Sequence, residues 1–142
     1  MARADFFTQT DKKQEYFSDF PVNFDKSPFT NDLGRLTNES SVRTAVSNLV
    51  QTKLNEALFQ PNLGSQVHKS LFEPFSDSSG FTADDIKQAI LNTLRFNEPR
   101  VTVIEVTVII SADENAYTIN VFFYVVNNPN PISIELVLQR VR

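Results

Sequence analysis

The run Arg95-Phe96-Asn97-Glu98-Pro99-Arg100-Val101-Thr102-Val103-Ile104-Glu105-Val106-Thr107-Val108-Ile109-Ile110 decides the fold, because its chemistry changes at the proline. Upstream, Ile86, Ala89, Ile90, Thr93 and Leu94 recur at helical spacing and form one inner stripe. A proline pushes the residue before it out of the α region, so the helix ends and Glu98 is extended. Downstream, β-branched residues dominate. The even positions Thr102, Ile104, Val106, Val108 and Ile110 form one mostly apolar face, with Glu105 and Thr107 on the other.

Toward the C-terminus the same alternation recurs twice. Ser111 to Asn115 read as a turn, after which Tyr117, Ile119, Val121, Phe123 and Val125 are all apolar. The run Asn127-Asn128-Pro129-Asn130-Pro131 is a second turn, and Ile132, Ile134, Leu136 and Leu138 then alternate with Ser133, Glu135, Val137 and Gln139. Links this short favour an antiparallel meander of three strands. Phe122, Tyr124 and Val126 share the other face of the middle strand. They are either buried under an N-terminal arm or a docking patch for another protein.

Toward the N-terminus the pattern is helical. Thr82 with Asp85 three residues on resembles a capping box, and Phe81 and Ile86 take the positions of a hydrophobic staple. A short helix is expected from about Gln66 to Phe72, stopped by Pro74, with Ser76 to Gly80 as a polar turn. Phe59 to Ser65, with Pro61, Asn62 and Gly64, is a loop. Val42, Ala45, Val46, Leu49 and Val50 mark one face of an amphipathic helix, with Asn38 as N-cap and Glu39 in its first turn. The expectation is an α+β fold: amphipathic helices on a small antiparallel C-terminal sheet, occupying residues 38–142 as a single domain.

Residues 1–37 have neither period, yet hold six of the 13 Phe. They read as an extended arm whose aromatics plug into grooves of this domain or of a partner, with a short strand at Phe20 to Phe24.

Composition narrows the function. A length of 142 residues suits one domain, and 41% apolar residues supply a real core. With no Cys and a single His, His68, the chain has no disulfide, thiolate or multi-histidine metal site. His68 reads as a helix-surface or capping imidazole. The net charge of −4 argues against nucleic acid, and no run is long and apolar enough for a bilayer span or a secretory leader. The expectation is a soluble protein without metal or cofactor. Phosphate-loop, nucleophile-elbow and zinc-helix motifs are missing from the sequence. Glu73, Asp84 and Glu98 could each join a hydrolytic carboxylate pair, but no spacing singles them out, so an enzyme is not expected.

What does stand out is Glu98-Pro99-Arg100, two opposite charges flanking a rigid residue at the helix-to-strand junction. They either pair with each other or form a preset bidentate contact for a partner. The last strand runs without Gly or Pro; at a sheet edge it would offer free main-chain groups to another chain.

These residues resemble a known family. Glu98-Pro99-Arg100 between an amphipathic helix and a Val/Ile-rich strand is similar to the signature of the baseplate wedge, or sheath-initiator, family of contractile phage tails, which has relatives in type VI secretion baseplates. Tyr16 to Phe24, Asn38-Glu39-Ser40-Ser41-Val42, the loop Phe59 to Ser65 and Leu71-Phe72-Glu73 match the family's other elements in the same order. The match runs from about Tyr16 to Leu138. It departs at Asn55-Glu56-Ala57-Leu58, where the family has a Gly-Glu-Arg-like turn.

The resemblance implies a structural virion protein of the tail baseplate, present in the host cytoplasm during assembly. Its partners would be other baseplate wedge proteins, the tail sheath protein and the tail tube or hub, with no nucleic acid and no membrane. It implies that Glu98, Pro99 and Arg100 contact the helical core bundle of the wedge. It further implies that the strand carrying Ile132, Ile134, Leu136 and Leu138 pairs with sheath and nucleates its polymerisation. The alternatives are a component of a bacterial type VI or related injection system, or a lysozyme-like peptidoglycan hydrolase.

Overall fold

The computed structural model describes residues 16–70, 80–111 and 116–139. In chain order the elements are β1 (Ser18–Asp19), β2 (Leu36–Thr37), α1 (Glu39–Gln51), α2 (Val67–Ser70), α3 (Gly80–Asn97), β3 (Val101–Ser111), β4 (Ala116–Val125) and β5 (Ile132–Gln139). The readings at Phe6, Phe7, Phe72, Glu73, Pro74 and the turn after Ser111 lie outside the described residues.

The last three strands form an antiparallel sheet in the order β3-β4-β5. Its inner face supplies Tyr117, Ile119, Val121, Phe123 and Val125 from β4 and Ile132, Ile134, Leu136 and Leu138 from β5, all buried. Val42, Val46 and Val50 of α1 and Ile86, Ile90 and Leu94 of α3 complete the same core, with Val67 of α2. This is the expected α+β architecture. Both helical stripes read from spacing are the ones that face the sheet.

Strand β3 departs from simple alternation. Val103 pairs with Phe123 but Glu105 pairs with Phe122, so Ile104 is an extra residue in a β-bulge. An inserted residue flips the facing of everything on one side of it. Val101 and Val103 therefore point inward ahead of the bulge, and Val106 and Val108 after it, while Ile104 is 51% exposed. The expected even face holds only beyond the bulge. Phe122, Tyr124 and Val126 on the outer face are partly exposed rather than buried beneath an arm.

The described part of the arm, residues 16–37, folds back on itself. β1 pairs antiparallel with β2, and Lys26 bridges Leu33. The chain reverses because Phe24 and Asn31 take positive φ and the Phe24 N–H closes a turn onto the Pro21 carbonyl at 3.1 Å. The strand expected at Phe20 to Phe24 is thus a turn. Of the described arm aromatics, Phe17 packs on the core, whereas Phe20, Phe24 and Phe29 are exposed. At the other end, α3 already includes Gly80, so Thr82 lies inside its first turn and does not cap it.

Candidate docking surface at the helix-to-strand corner

Helix α3 ends where proline requires. The Glu98 N–H still donates to the Leu94 carbonyl at 2.9 Å, and Pro99 then turns the chain. Beyond it, the Arg100 carbonyl accepts from the Val126 N–H at 2.9 Å, pinning the corner to the end of β4.

Within this corner the two charges meet each other. Arg100 Nε donates to Glu98 Oε1 at 2.6 Å and Nη2 donates to Oε2 at 2.7 Å, a bidentate fork on one carboxylate. The Glu98 side chain is only 5% exposed, against 32% for Arg100. The hydrogen bond to Glu98 raises the Arg100 pKa; partial burial opposes it, and the charges of Glu98 and Asp19 add to the rise. Arg100 also stacks on Phe17, its guanidinium carbon 5.4 Å from the ring centre. Glu98 is therefore an internal support, and Arg100 is the member that reaches the surface.

Sequence spacing did not show the arm's part in this corner. Asn38, read as an N-cap, has φ 49 and ψ −114 and makes no side-chain bond to α1. Its Oδ1 instead accepts from the Tyr16 N–H at 2.9 Å, and its own N–H donates to the Phe17 carbonyl at 2.8 Å. Asn38 thus staples the arm to the start of α1 and seats Phe17 beneath Arg100. Asn128 Nδ2 donates to Glu39 Oε1 at 2.6 Å, joining the β4–β5 turn to the same helix end. No local pattern could reveal contacts between residues 21 and 89 positions apart.

The second group of expected site residues is placed differently. The side chains of Ile132, Ile134, Leu136 and Leu138 point into the core, so any approaching chain meets only the main chain of β5 and the outward residues Ser133, Glu135, Val137 and Gln139. β5 pairs with β4 from Ile132 to Gln139, and its other flank has no strand among the described residues.

The loop after α1 is tightly built. His68 Nε2 lies 2.8 Å from the Gln51 carbonyl, which makes His68 a helix-end cap. Asn55 takes φ 69, a left-handed conformation that asparagine tolerates. Glu56 Oε2 accepts the Lys53 N–H at 2.8 Å. Of the candidate acids, Asp84 is exposed on α3, Glu98 is engaged by Arg100, and Glu73 lies outside the described residues. Among the described residues there is no cluster of three or more metal-ligating side chains, and no helix is long and apolar enough to cross a membrane.

Comparison with known proteins decides the family. The model of the baseplate wedge protein gp25 family matches residues 37–130, well over half of the chain and spanning the corner. This chain belongs to that family. It is 26% identical over 107 residues to the baseplate wedge protein gp25 of Enterobacteria phage T4, covering 75% of this chain and 79% of that protein. Two solved structures share the fold. A protein described as a tail lysozyme from Geobacter sulfurreducens aligns with TM-score 0.65 and 19% identity over 73% of this chain and 92% of that one. A chain of the anti-feeding prophage baseplate aligns with TM-score 0.58 and 16% identity over 85% and 83%. The chain is a baseplate wedge protein of a contractile phage tail or a related injection system, and its site is the tail baseplate, among other baseplate components.

Proposed function

We propose that this protein is a non-catalytic scaffold that docks on the wedge core bundle through the Glu98-Pro99-Arg100 corner and offers the free flank of β5 to the first ring of sheath. Residues 1–37 act as an accessory arm that buttresses the corner, and residues 38–142 as the working domain. Assembly takes place in the host cytoplasm before the baseplate joins the tail.

The observation that carries the reading is the difference between the two sheet edges. β3 is interrupted by a bulge between Val103 and Glu105, a device that disrupts a ladder and protects an edge. β5 keeps an unbroken register with β4 over all eight residues. A pre-ordered strand is the better template, because only the incoming chain loses conformational entropy. For the corner, a carboxylate closed on its own arginine holds the guanidinium plane at a fixed angle, and its outer N–H groups remain for an acceptor on the partner.

The edge is tested by Val137→Lys. Val137 is 56% exposed on the outer face, so the fold survives the change while a charge guards the edge. Variant baseplates should assemble but carry no sheath; full-length sheaths on them would end the strand-template idea. The corner is tested by Arg100→Lys, which keeps the charge and loses the fork. Recruitment into purified wedges should fall, and normal recruitment would remove the docking role. The hydrolase alternative predicts clearing of a peptidoglycan suspension by the purified protein, which the scaffold reading does not.

A further inference from the structure

A cleft of about 790 Å3 runs along the exposed side of α3, between that helix and the loop after α1. Its lining differs from the rest of the protein. Asn62 and Gln66 on the loop side face Gln88 and Asn92, one turn apart on α3, and none of these four side-chain amides has a hydrogen-bond partner among the described residues. Asp85 is the one charged residue in the lining, in a chain where 21% of residues are charged. The floor is small, with Ala89 between the amide-bearing positions, and Phe96 stands at the end nearest Glu98, 81% exposed.

We infer that this cleft binds an extended segment of another baseplate protein, free of acidic side chains, through that segment's main chain. Each carboxamide offers both donors and an acceptor, the complement of a peptide unit, so facing rows of them satisfy the N–H and C=O groups of an extended strand irrespective of its sequence. A small floor permits close backbone approach, and Phe96 supplies an apolar stop for one side chain. An acidic segment would surrender hydration and meet the Asp85 carboxylate, so it is selected against. The inference rests on the chain working within a baseplate and does not need β5 or Arg100 to act as proposed above.

The test uses assembled baseplates carrying the photo-crosslinker p-benzoyl-phenylalanine at Asn92 or, separately, at Gln88. Crosslinks from both positions should land in one short segment of one other baseplate protein. The two attachment points should lie about two residues apart, since one helical turn spans about 6 Å and an extended chain rises about 3.3 Å per residue. A spacing of about four residues would mean a helical occupant and overturn the inference. So would crosslinks back into this chain, to a second copy of it, or none at all. Asn92→Glu, a surface change, should leave the melting temperature unmoved yet lower incorporation about tenfold by placing a second carboxylate in the cleft that already holds Asp85. Normal incorporation of that variant would also overturn it.

Discussion

The Arg100 guanidinium lies over the Phe17 ring, 5.4 Å from its centre, so a residue of the N-terminal arm underlies the pair that marks the helix-to-strand corner. The arm is therefore a component of the candidate docking surface, and its contribution is measurable. Phe17→Ala should lower stability by about 2 kcal/mol, roughly half the cost of truncating a fully buried Phe, because Phe17 is only partly buried. Phe17→Leu should recover most of that, leaving a deficit of about 0.5–1 kcal/mol for the lost cation–π contact. Urea unfolding of the three proteins decides it; equal losses for Ala and Leu would contradict the packing account.

The pair itself predicts a pH dependence. The Glu98 hydrogen bond raises the Arg100 pKa, so the folded chain holds this proton more tightly than the unfolded one. Its contribution is complete below the ordinary arginine range and is lost only as pH climbs beyond it. In Arg100→Lys the loss should come earlier, near the lysine range of about 10.4. The stability difference between wild type and variant should be about 1 kcal/mol at neutral pH and widen from about pH 9 to pH 11. A constant difference across that window would show that a lysine at this position gains nothing from Glu98.

Loop geometry separates two positions of similar appearance. Gly64 has φ +112, and a Cβ there would stand 2.7 Å from the Thr52 carbonyl oxygen and 2.8 Å from that of Lys53. Both obstacles are main chain, which cannot swing aside, so Gly64→Ala should cost about 3 kcal/mol. Asn55 at φ 69 is left-handed, so Asn55→Gly should change stability by under about 0.5 kcal/mol while Asn55→Val costs 1–2 kcal/mol. Thermal melts of these variants provide the ranking.

The bulge makes a prediction opposite to that of plain alternation. If the even residues of β3 all faced inward, Ile104 and Val106 would be equally sensitive. In the structure Ile104 is exposed and Val106 buried. Ile104→Ser should thus be within about 0.5 kcal/mol of wild type, whereas Val106→Ala should lose about 2 kcal/mol. Comparable losses at both sites would refute the register.

Buried polarity offers one stabilising change. The Ser41 hydroxyl in α1 is fully buried and has no hydrogen-bond partner among the described residues. Ser41→Ala removes an unsatisfied group and favours helix, so it should raise stability by about 1 kcal/mol. A loss on calorimetry would mean that the hydroxyl has a partner.

Much of this protein was legible along the chain. Periodicity of 3.6 in Val42 to Val50 and Ile86 to Leu94, and of 2 in Tyr117 to Val125 and Ile132 to Leu138, specified the helix stripes and the inward faces of two strands. These signals are local: each residue's facing follows from its neighbours' spacing. Pro99 located the corner for the same reason, since its effect on Glu98 is covalent. The order of motifs was enough to suggest the family.

The tertiary structure alone decided the rest. Whether Glu98 and Arg100 close on each other depends on burial of the carboxylate, which no spacing encodes. Asn38 could bond a helix N–H or the arm; the arm prevailed because Phe17 had somewhere to pack. The extra residue at Ile104 cannot be seen in β3 alone, because a bulge is a property of pairing with β4. Likewise, the place of β5 beside β4 and the amide-lined cleft arise from which elements become neighbours. That choice is made by burial of apolar surface across the whole domain, a sum over distant residues that a linear pattern does not contain.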